Sequence, residues 1–331
     1  MLPEGKPYLR RPATDRMNLF ESARALREAS GTGPIDWEAA GDAATAATDP
    51  GSVSLTAAEE EAYAADVRAA RDAVTAATNA AFELPESVTI LNRNHWIEAN
   101  VGTFERVMEP IEIHAAEIPG IARTINTGTM AVMLAFLGRN VLGQYDPVLL
   151  GEDPHELYFV HPNIVEIADQ LNVPLARFRR WIAFHEVTHA AEFGAAPWLS
   201  TYLETRVEET VGDLADGQID RDAFAELNTA MTAVEGYAEL VMDDAFDRPY
   251  QDLRDALDRR RNNRGLVAGL IQRLLGLGLK RQQYERGKAF FEAVAAERGI
   301  DGAHAVWEQP ENLPTDDELD TPTRWLDRVD P

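Results

Sequence analysis

The chain has 331 residues and a formal net charge of −25, with 56 acidic residues against 31 basic ones. This balance excludes the usual nucleic-acid-binding protein, because no basic stripe is available to neutralise phosphates. The sequence contains no cysteine, which excludes disulfides, thiolate metal sites and a cysteine nucleophile and leaves histidine and carboxylates as the strong metal ligands.

Helix-forming patterns dominate the first part of the chain. Thr56 is placed to cap a long helix, because acidic residues that suit a helix N-terminus follow it at Glu59, Glu60 and Glu61. The helices predicted up to residue 140 lie at about residues 34–47, 57–82, 94–107 and 120–137, with a short strand or extended connection at residues 87–91.

The composition changes between residues 141 and 162. Two apolar runs at residues 148–150 and 157–160, separated by turn-forming residues 151–154, predict a β-hairpin. Its second strand would offer an edge for an extended substrate. The remaining predicted helices lie at about residues 163–172 (capped by Asn163), 174–193, 199–216, 221–247, 253–274 and 283–298, and Trp325 and Leu326 are expected to dock the C-terminal tail.

One stretch, His185-Glu186-Val187-Thr188-His189, can build most of a metal site. Residues four apart share one face of a helix, so both imidazoles can reach the same ion, and Glu186 can act as general base on the water that the ion activates. Apolar neighbours such as Trp181 and Phe184 indicate a buried helix. Zn²⁺ is the expected cofactor, and another divalent metal could take its place. The alternative is a helix with two surface or capped histidines.

The third ligand is expected downstream of this motif. Glu235, Glu239 and Asp243 recur every four residues and therefore share one helix face. We predict Glu235 as the metal ligand and Glu239 or Asp243 as the group that orients a ligand histidine, since a cation offsets the repulsion between stacked carboxylates. Gly236 favours this hypothesis because a helix-interior glycine often marks close packing. Tyr237 is a candidate oxyanion donor. The alternative is a solvated acidic stripe beside a packed tyrosine.

These patterns predict a mainly α-helical fold of the α+β kind, with a small β-hairpin or sheet and the histidine motif on a buried helix. A helical portion, residues 1–110, is expected to pack on the portion that carries the metal site and the C-terminal helices, residues 111–331. The N-terminus lacks an apolar signal region, and the apolar run at residues 266–279 is too short to span a bilayer. We therefore expect a cytoplasmic protein without a membrane partner.

Motifs spread over most of the chain carry a resemblance to a known family. They are Ile35-Asp36-Trp37, Arg93-x-x-Trp96-x-x-Ala99-Asn100, Val141-Leu142-Gly143-Gln144-Tyr145-Asp146, Phe159-Val160-His161-Pro162-Asn163, Trp181-x-x-x-His185-Glu186-Val187-Thr188-His189, Glu235-Gly236-x-Ala238-Glu239 with Val241-Met242-Asp243, and Lys280-x-x-Gln283-Tyr284-x-x-Gly287-x-x-Phe290. Together they resemble the zincin-like zinc-dependent metalloproteases, and within them the archaeal members associated with deazaflavin-coenzyme biosynthesis. The resemblance implies a mainly helical zincin-like fold whose metal motif is His185, Glu186 and His189. Members of the family carry histidine where this chain has Tyr237.

Two functions follow from these features. The first is a metallopeptidase-like, zinc-dependent hydrolase of amide or peptide bonds, with a peptide or amide as its substrate. The second is a non-hydrolytic metal-containing protein that assembles with a protein partner or serves as a scaffold in deazaflavin-coenzyme metabolism. Intact Glu186 favours the first, because a structural zinc has no use for a base there. A third alternative is a helical binding module without a metal. In that case the spacing of the two histidines and of the carboxylates would be a coincidence.

The acidic composition also predicts adaptation to salt, as in halophiles, because self-repulsion destabilises a compact state unless ions screen it. We expect the free energy of unfolding to increase as KCl is raised from dilute buffer to molar concentration. Thermal denaturation along a KCl titration measures the change, and a parallel series with an uncharged osmolyte separates screening from general solute exclusion. Full stability in dilute buffer would contradict salt adaptation.

Overall fold

The computed structural model describes residues 33–78, 82, 88–114, 120–146, 156–215, 221–246, 250–262 and 281–331. It confirms a mainly helical fold with a small sheet. The helices are α1 (Trp37–Ala46), α2 (Ala57–Thr78), α3 (Arg93–His114), α4 (Gly120–Gly138), α5 (His161–Leu171), α6 (Leu175–Ala195), α7 (Leu199–Ala215), α8 (Arg221–Ala245), α9 (Gln251–Asn262), α10 (Arg281–His304), α11 (Asp316–Asp320) and α12 (Pro322–Val329). The strands are β1 (Val88–Leu91), β2 (Gly143–Asp146) and β3 (Glu156–Val160).

Two predicted helix starts are confirmed by their caps, and one is wrong. Thr56 and Glu59 form a capping box before α2, in which the Glu59 N–H donates to Thr56 Oγ1 (3.3 Å) and the Thr56 N–H donates to Glu59 Oε2 (2.7 Å). Asp36 caps α1 through Oδ1. Asn163 is not a cap, because α5 begins at His161 and the Asn163 amide donates to the carbonyl oxygens of residues 138 and 141.

The sheet has the order β1-β3-β2, with β1 parallel to β3 and β2 antiparallel to it. The predicted strand at residues 157–160 is confirmed as β3. Its antiparallel partner is Gly143–Asp146, whereas residues 148–150 lie outside the described part of the chain. Because both sides of β3 are paired, the prediction of a substrate edge at residues 157–160 is wrong. The described edge strands are β1 and β2.

The sheet separates two apolar clusters. Leu157 and Phe159 of β3 belong to the larger cluster, with α2, α5, α6, α8 and α10, while Tyr158 and Val160 belong to the smaller cluster, with α1, α3 and α4. This alternation follows from the two-residue repeat of a strand. Residue 110 lies inside α3, and segments on both sides of it contribute to the same sheet and the same core.

Two of the quoted sequence motifs hold β2 in place. The Trp96 indole N–H donates to Gln144 Oε1 (2.7 Å), and Gln144 Nε2 donates to Asn100 Oδ1 (3.0 Å). Trp96 and Asn100 lie one turn apart on α3, so both side chains can form hydrogen bonds with Gln144 from the same helix face. Gln144 thus anchors β2 to α3, which leaves the neighbouring residues Gly143 and Tyr145 to face the other side of the sheet.

The C-terminal tail docks as predicted. The fully buried Trp325 packs against Phe290 of α10 with the ring centroids 5.5 Å apart, and its indole N–H donates to the Asn312 carbonyl (2.7 Å). Within the described ranges, no helix combines the length and apolarity needed to cross a bilayer. The N-terminal segment and the apolar run at residues 266–279, on which the sequence-based expectation rests, lie outside those ranges.

Helices α8 and α10 cross at two glycines. A Cβ built on Gly236 would lie 2.3 Å from the carbonyl carbon of Gly287, and one built on Gly287 would lie 2.2 Å from the carbonyl oxygen of Thr232. These distances are far shorter than van der Waals contact, so the two backbones meet where only glycine fits. The close packing predicted from Gly236 is therefore present, and it lies one residue from Glu235.

Gly236→Ala should destabilise the fold, because the added methyl group meets backbone that cannot move aside. We expect the free energy of unfolding to fall by about 1–3 kcal/mol, as for other overpacked sites, in urea denaturation. The matched control is Gly102→Ala in α3, where an added Cβ meets nothing within 4 Å. That variant should be as stable as the parent chain or up to about 1 kcal/mol more stable, since alanine is the better helix former. Equal effects of the two substitutions would contradict this account of the crossing.

Candidate metal centre

Helix α6 presents the two histidines of the motif to the same point. It is buried along most of its length, as predicted. The Nε2 atoms of His185 and His189 lie 3.3 Å apart, and their rings meet edge to face with centroids 4.6 Å apart. Trp181, one turn earlier, stacks on His185 at 6.0 Å with an interplanar angle of 18°. The stacking restricts rotation of the His185 ring and helps to aim its Nε2 atom.

Glu235 joins the pair from α8. One ligand atom from each of His185, His189 and Glu235 lies within 4.8 Å of the other two, and all three side chains are partly exposed. The structure thus brings together the three residues that the sequence proposes as ligands.

The spacing of the two imidazoles suits a zinc ion. Two nitrogens bound to tetrahedral zinc at about 2.0–2.1 Å lie about 3.3–3.4 Å from each other, which is the separation found between His185 and His189. The Glu235 oxygen supplies the hard, charged donor that complements two imidazoles in catalytic zinc sites. The donor set therefore fits a zinc ion, which with three protein ligands keeps one tetrahedral position for water or substrate.

Glu186 lies against the backbone of β2. Its Oε2 atom accepts a hydrogen bond from the Tyr145 N–H (2.9 Å). The Val160 N–H donates to the Leu142 carbonyl, so by the alternation of an antiparallel ladder the Tyr145 N–H points away from β3. A Cβ built on Gly143 would lie 2.6 Å from Glu186 Cγ. The strand therefore orients the carboxylate of Glu186 and needs glycine at residue 143 to do so.

Burial raises the pKa of Glu186 to about 7, although His189 and the Tyr145 N–H oppose the shift. Nearby Glu235 adds to it, because two ionised carboxylates repel each other. A carboxyl group with a pKa near neutrality is suited to general-base work, in which a proton is taken up and released at the same site.

Glu192 is a site residue that the sequence analysis misses. It is fully buried, and its Oε2 atom lies 2.7 Å from His189 Nδ1. Burial opposes the charged form of His189, yet the carboxylates of Glu192, Glu235 and Glu186 outweigh it and raise the pKa of His189 to about 10. The surroundings thus favour a positive charge at this point, which a proton or a divalent cation can supply.

Glu239 and Asp243, proposed as orienting groups, make their described contacts with a neighbouring polar cluster. Glu239 forms an ion pair with Arg254, while Asp243 binds Lys288 and accepts a hydrogen bond from the Tyr250 hydroxyl (2.8 Å). These two cations offset part of the repulsion along the carboxylate face of α8. The orienting role of Glu239 or Asp243 toward a histidine stays a prediction.

Tyr237 packs in the core between α8 and α10. Its ring meets Phe291 and Trp307 edge to face, with centroids at 5.2 and 5.4 Å, and its hydroxyl lies 3.2 Å from His304 Nδ1. Burial raises the pKa of the Tyr237 phenol. This environment favours the packed-tyrosine alternative, and the oxyanion role stays a prediction.

Comparison with known proteins shows the family. A family model for zincin-like metallopeptidases matches residues 35–220 and 211–326, and the chain therefore belongs to that family. The chain is also similar to the crystal structure of a candidate hydrolase with a novel fold from Chloroflexus aurantiacus, with 32% sequence identity and a TM-score of 0.70 over 95% of this chain and 99% of the other. No curated protein matches. Family membership implies a divalent metal, typically zinc, and these comparisons reach the wider family rather than its deazaflavin-associated members.

If the three residues form the metal site, protein purified without added metal should hold one zinc ion per chain by elemental analysis. His185→Ala and Glu235→Ala should lose the ion, because each removes one of three protein ligands. Glu186→Gln is the matched control, since it preserves side-chain volume and removes no ligand. Circular dichroism checks that each variant is folded. Retention of the ion by a folded Glu235→Ala variant would exclude Glu235 as the third ligand.

Proposed function

We propose that the protein hydrolyses amide or peptide bonds, with zinc held by His185, His189 and Glu235 and with Glu186 as general base. The observation that carries this proposal is the pair of imidazole Nε2 atoms 3.3 Å apart, which the Glu235 carboxylate of a second helix approaches. A bound zinc ion would supply Lewis acidity that makes water nucleophilic at neutral pH and polarises the scissile carbonyl.

Glu186 performs the proton transfers. Its carboxylate takes the proton of the attacking water and later delivers it to the leaving nitrogen. The Tyr145 N–H holds one carboxylate oxygen, so the group is oriented before the substrate binds and loses little rotational freedom during the reaction. The near-neutral pKa supports both steps, because the same group must accept and then release a proton.

The substrate binds beside β2. This strand is an edge of the described sheet, and the peptide groups of Gly143 and Tyr145 face away from β3. The Tyr145 N–H donates to Glu186, so a substrate strand would pair with the Gly143 peptide group. An extended peptide can add to such an edge through main-chain hydrogen bonds. Because β2 also holds Glu186, a peptide aligned on it lies close to the general base. This supports an extended peptide rather than a compact amide as the substrate.

A non-hydrolytic role in deazaflavin-coenzyme metabolism, the cytoplasmic location and the salt adaptation remain predictions from the sequence. Glu186 weighs against the non-hydrolytic alternative. A buried carboxylate is costly to the fold, and a protein that only carries a structural metal would gain nothing from keeping one 9% exposed beside the metal ligands.

Zinc-loaded protein should cleave members of a mixed peptide library, as detected by mass spectrometry. Glu186→Gln should cleave at least about 100-fold more slowly, because it removes the general base, while it retains the zinc. A cleavage rate equal to that of the parent chain would exclude Glu186 as the base. Zinc binding without cleavage of any peptide by the parent chain would favour the non-hydrolytic alternative.

Gly143→Ala tests whether β2 orients Glu186. The added methyl group should push Glu186 away from the Tyr145 N–H without removing the carboxylate. We expect cleavage to fall about tenfold or more, as for other misplaced catalytic groups, at unchanged zinc content. A parent-like rate would mean that β2 does not orient the base.

A further inference from the structure

We infer that Glu192 is a positioning residue for the metal centre, which fixes the tautomer and the orientation of His189. The inference rests on the proposed metal site, and it does not depend on hydrolysis.

The hydrogen-bond geometry sets the tautomer. Glu192 Oε2 lies 2.7 Å from His189 Nδ1, and the carboxylate is fully buried. An ionised carboxylate can only accept, so the hydrogen must lie on Nδ1. In the neutral imidazole that binds a metal, the lone pair is then on Nε2, which is the nitrogen that faces His185 Nε2 at 3.3 Å. Glu192 thus places the ligand electron pair at the metal position.

The helix makes this pairing rigid. Glu192 follows His189 by three residues on α6, so both side chains lie on one face of the same helix. A carboxylate on another element would move relative to the ring whenever the helices shift. Here the ring and its acceptor move together, and α8, which brings Glu235, can adjust without disturbing the tautomer.

The remaining oxygen of Glu192 shows what the arrangement costs. Oε1 is buried and makes no hydrogen bond of normal geometry within the described ranges, although the Ala238 backbone lies close enough to favour the charge. Burying a carboxylate oxygen without a hydrogen-bond donor is unfavourable, although the pairing of Glu192 with His189 offsets part of that cost. Packing alone therefore does not account for glutamate at this position.

Two substitutions separate metal positioning from ordinary packing. Glu192→Met removes the acceptor but keeps an unbranched side chain of similar length, whereas Glu192→Gln keeps an acceptor oxygen. The dissociation constant for zinc is measured by competition with a chromophoric chelator, the geometry by the visible spectrum of the cobalt-substituted protein, and the stability by the Tm of metal-free protein.

For Glu192→Met we expect zinc to bind about 10- to 100-fold more weakly, as for other partners of metal-binding histidines, together with an altered cobalt spectrum. Glu192→Gln should stay within a few-fold of the parent affinity, with a parent-like spectrum. The control is Glu318→Gln on α11, which weakens the pairing of a buried carboxylate with Arg328; it should lower the Tm and leave zinc affinity unchanged.

Parent-like zinc affinity in Glu192→Met, or a lower metal-free Tm with an unchanged cobalt spectrum, would overturn the inference, because the pair would then be structural. Equal loss of zinc in both variants would show that charge, rather than the acceptor, is what matters, and would also overturn it. A parent chain that binds no zinc overturns the inference together with the proposed site. Zinc binding without peptide cleavage overturns only the proposed function.

Discussion

A concentration of negative charge beside two imidazoles is the constraint on which the site depends. Glu186, Glu192 and Glu235 all act on His189, and Glu186 and Glu192 are buried. Ionised carboxylates close to one another repel, so this cluster favours a proton or a cation beside it. In the family to which the chain belongs, that cation is a divalent metal, and the charge pattern, the donor set and the imidazole spacing agree with it.

Three different kinds of contact fix the elements that carry or orient these side chains, namely α6, α8 and β2. Arg179 on α6 binds the largely buried Asp66 of α2 through Nε (2.7 Å), which fixes the helix that carries both histidines. A backbone contact between two glycines sets α8 against α10. The hydrogen bonds of Gln144 with Trp96 and Asn100 hold β2 against α3. Each element that carries a proposed ligand or orients the base is thus anchored by a contact that the proposed ligands themselves do not make.

The sequence predicts the parts of the site that follow from helical spacing alone. His185 and His189 are four residues apart, and Glu235 belongs to a regular carboxylate stripe, so their faces are readable without coordinates. Glu192 is missed because a glutamate three residues after a histidine is common, and only burial makes this one unusual. β2 is missed because its residues lack the branched and aromatic pattern of a strand. Its place depends on Trp96 and on Glu186, which are distant in sequence.

The glycine crossing beneath Glu235 has a consequence for the accuracy of the centre. Metal ligands tolerate errors of only about 0.2 Å in bond length, while a single methyl group at Gly236 would force α8 and α10 apart by something on the order of 1 Å. The neighbour of Gly236 along the chain is Glu235, the proposed acidic ligand, so such a widening would displace the backbone that carries it. Glycine at residue 236 therefore sets the distance between α8 and α10, and with it the position of the Glu235 carboxylate relative to the two imidazoles.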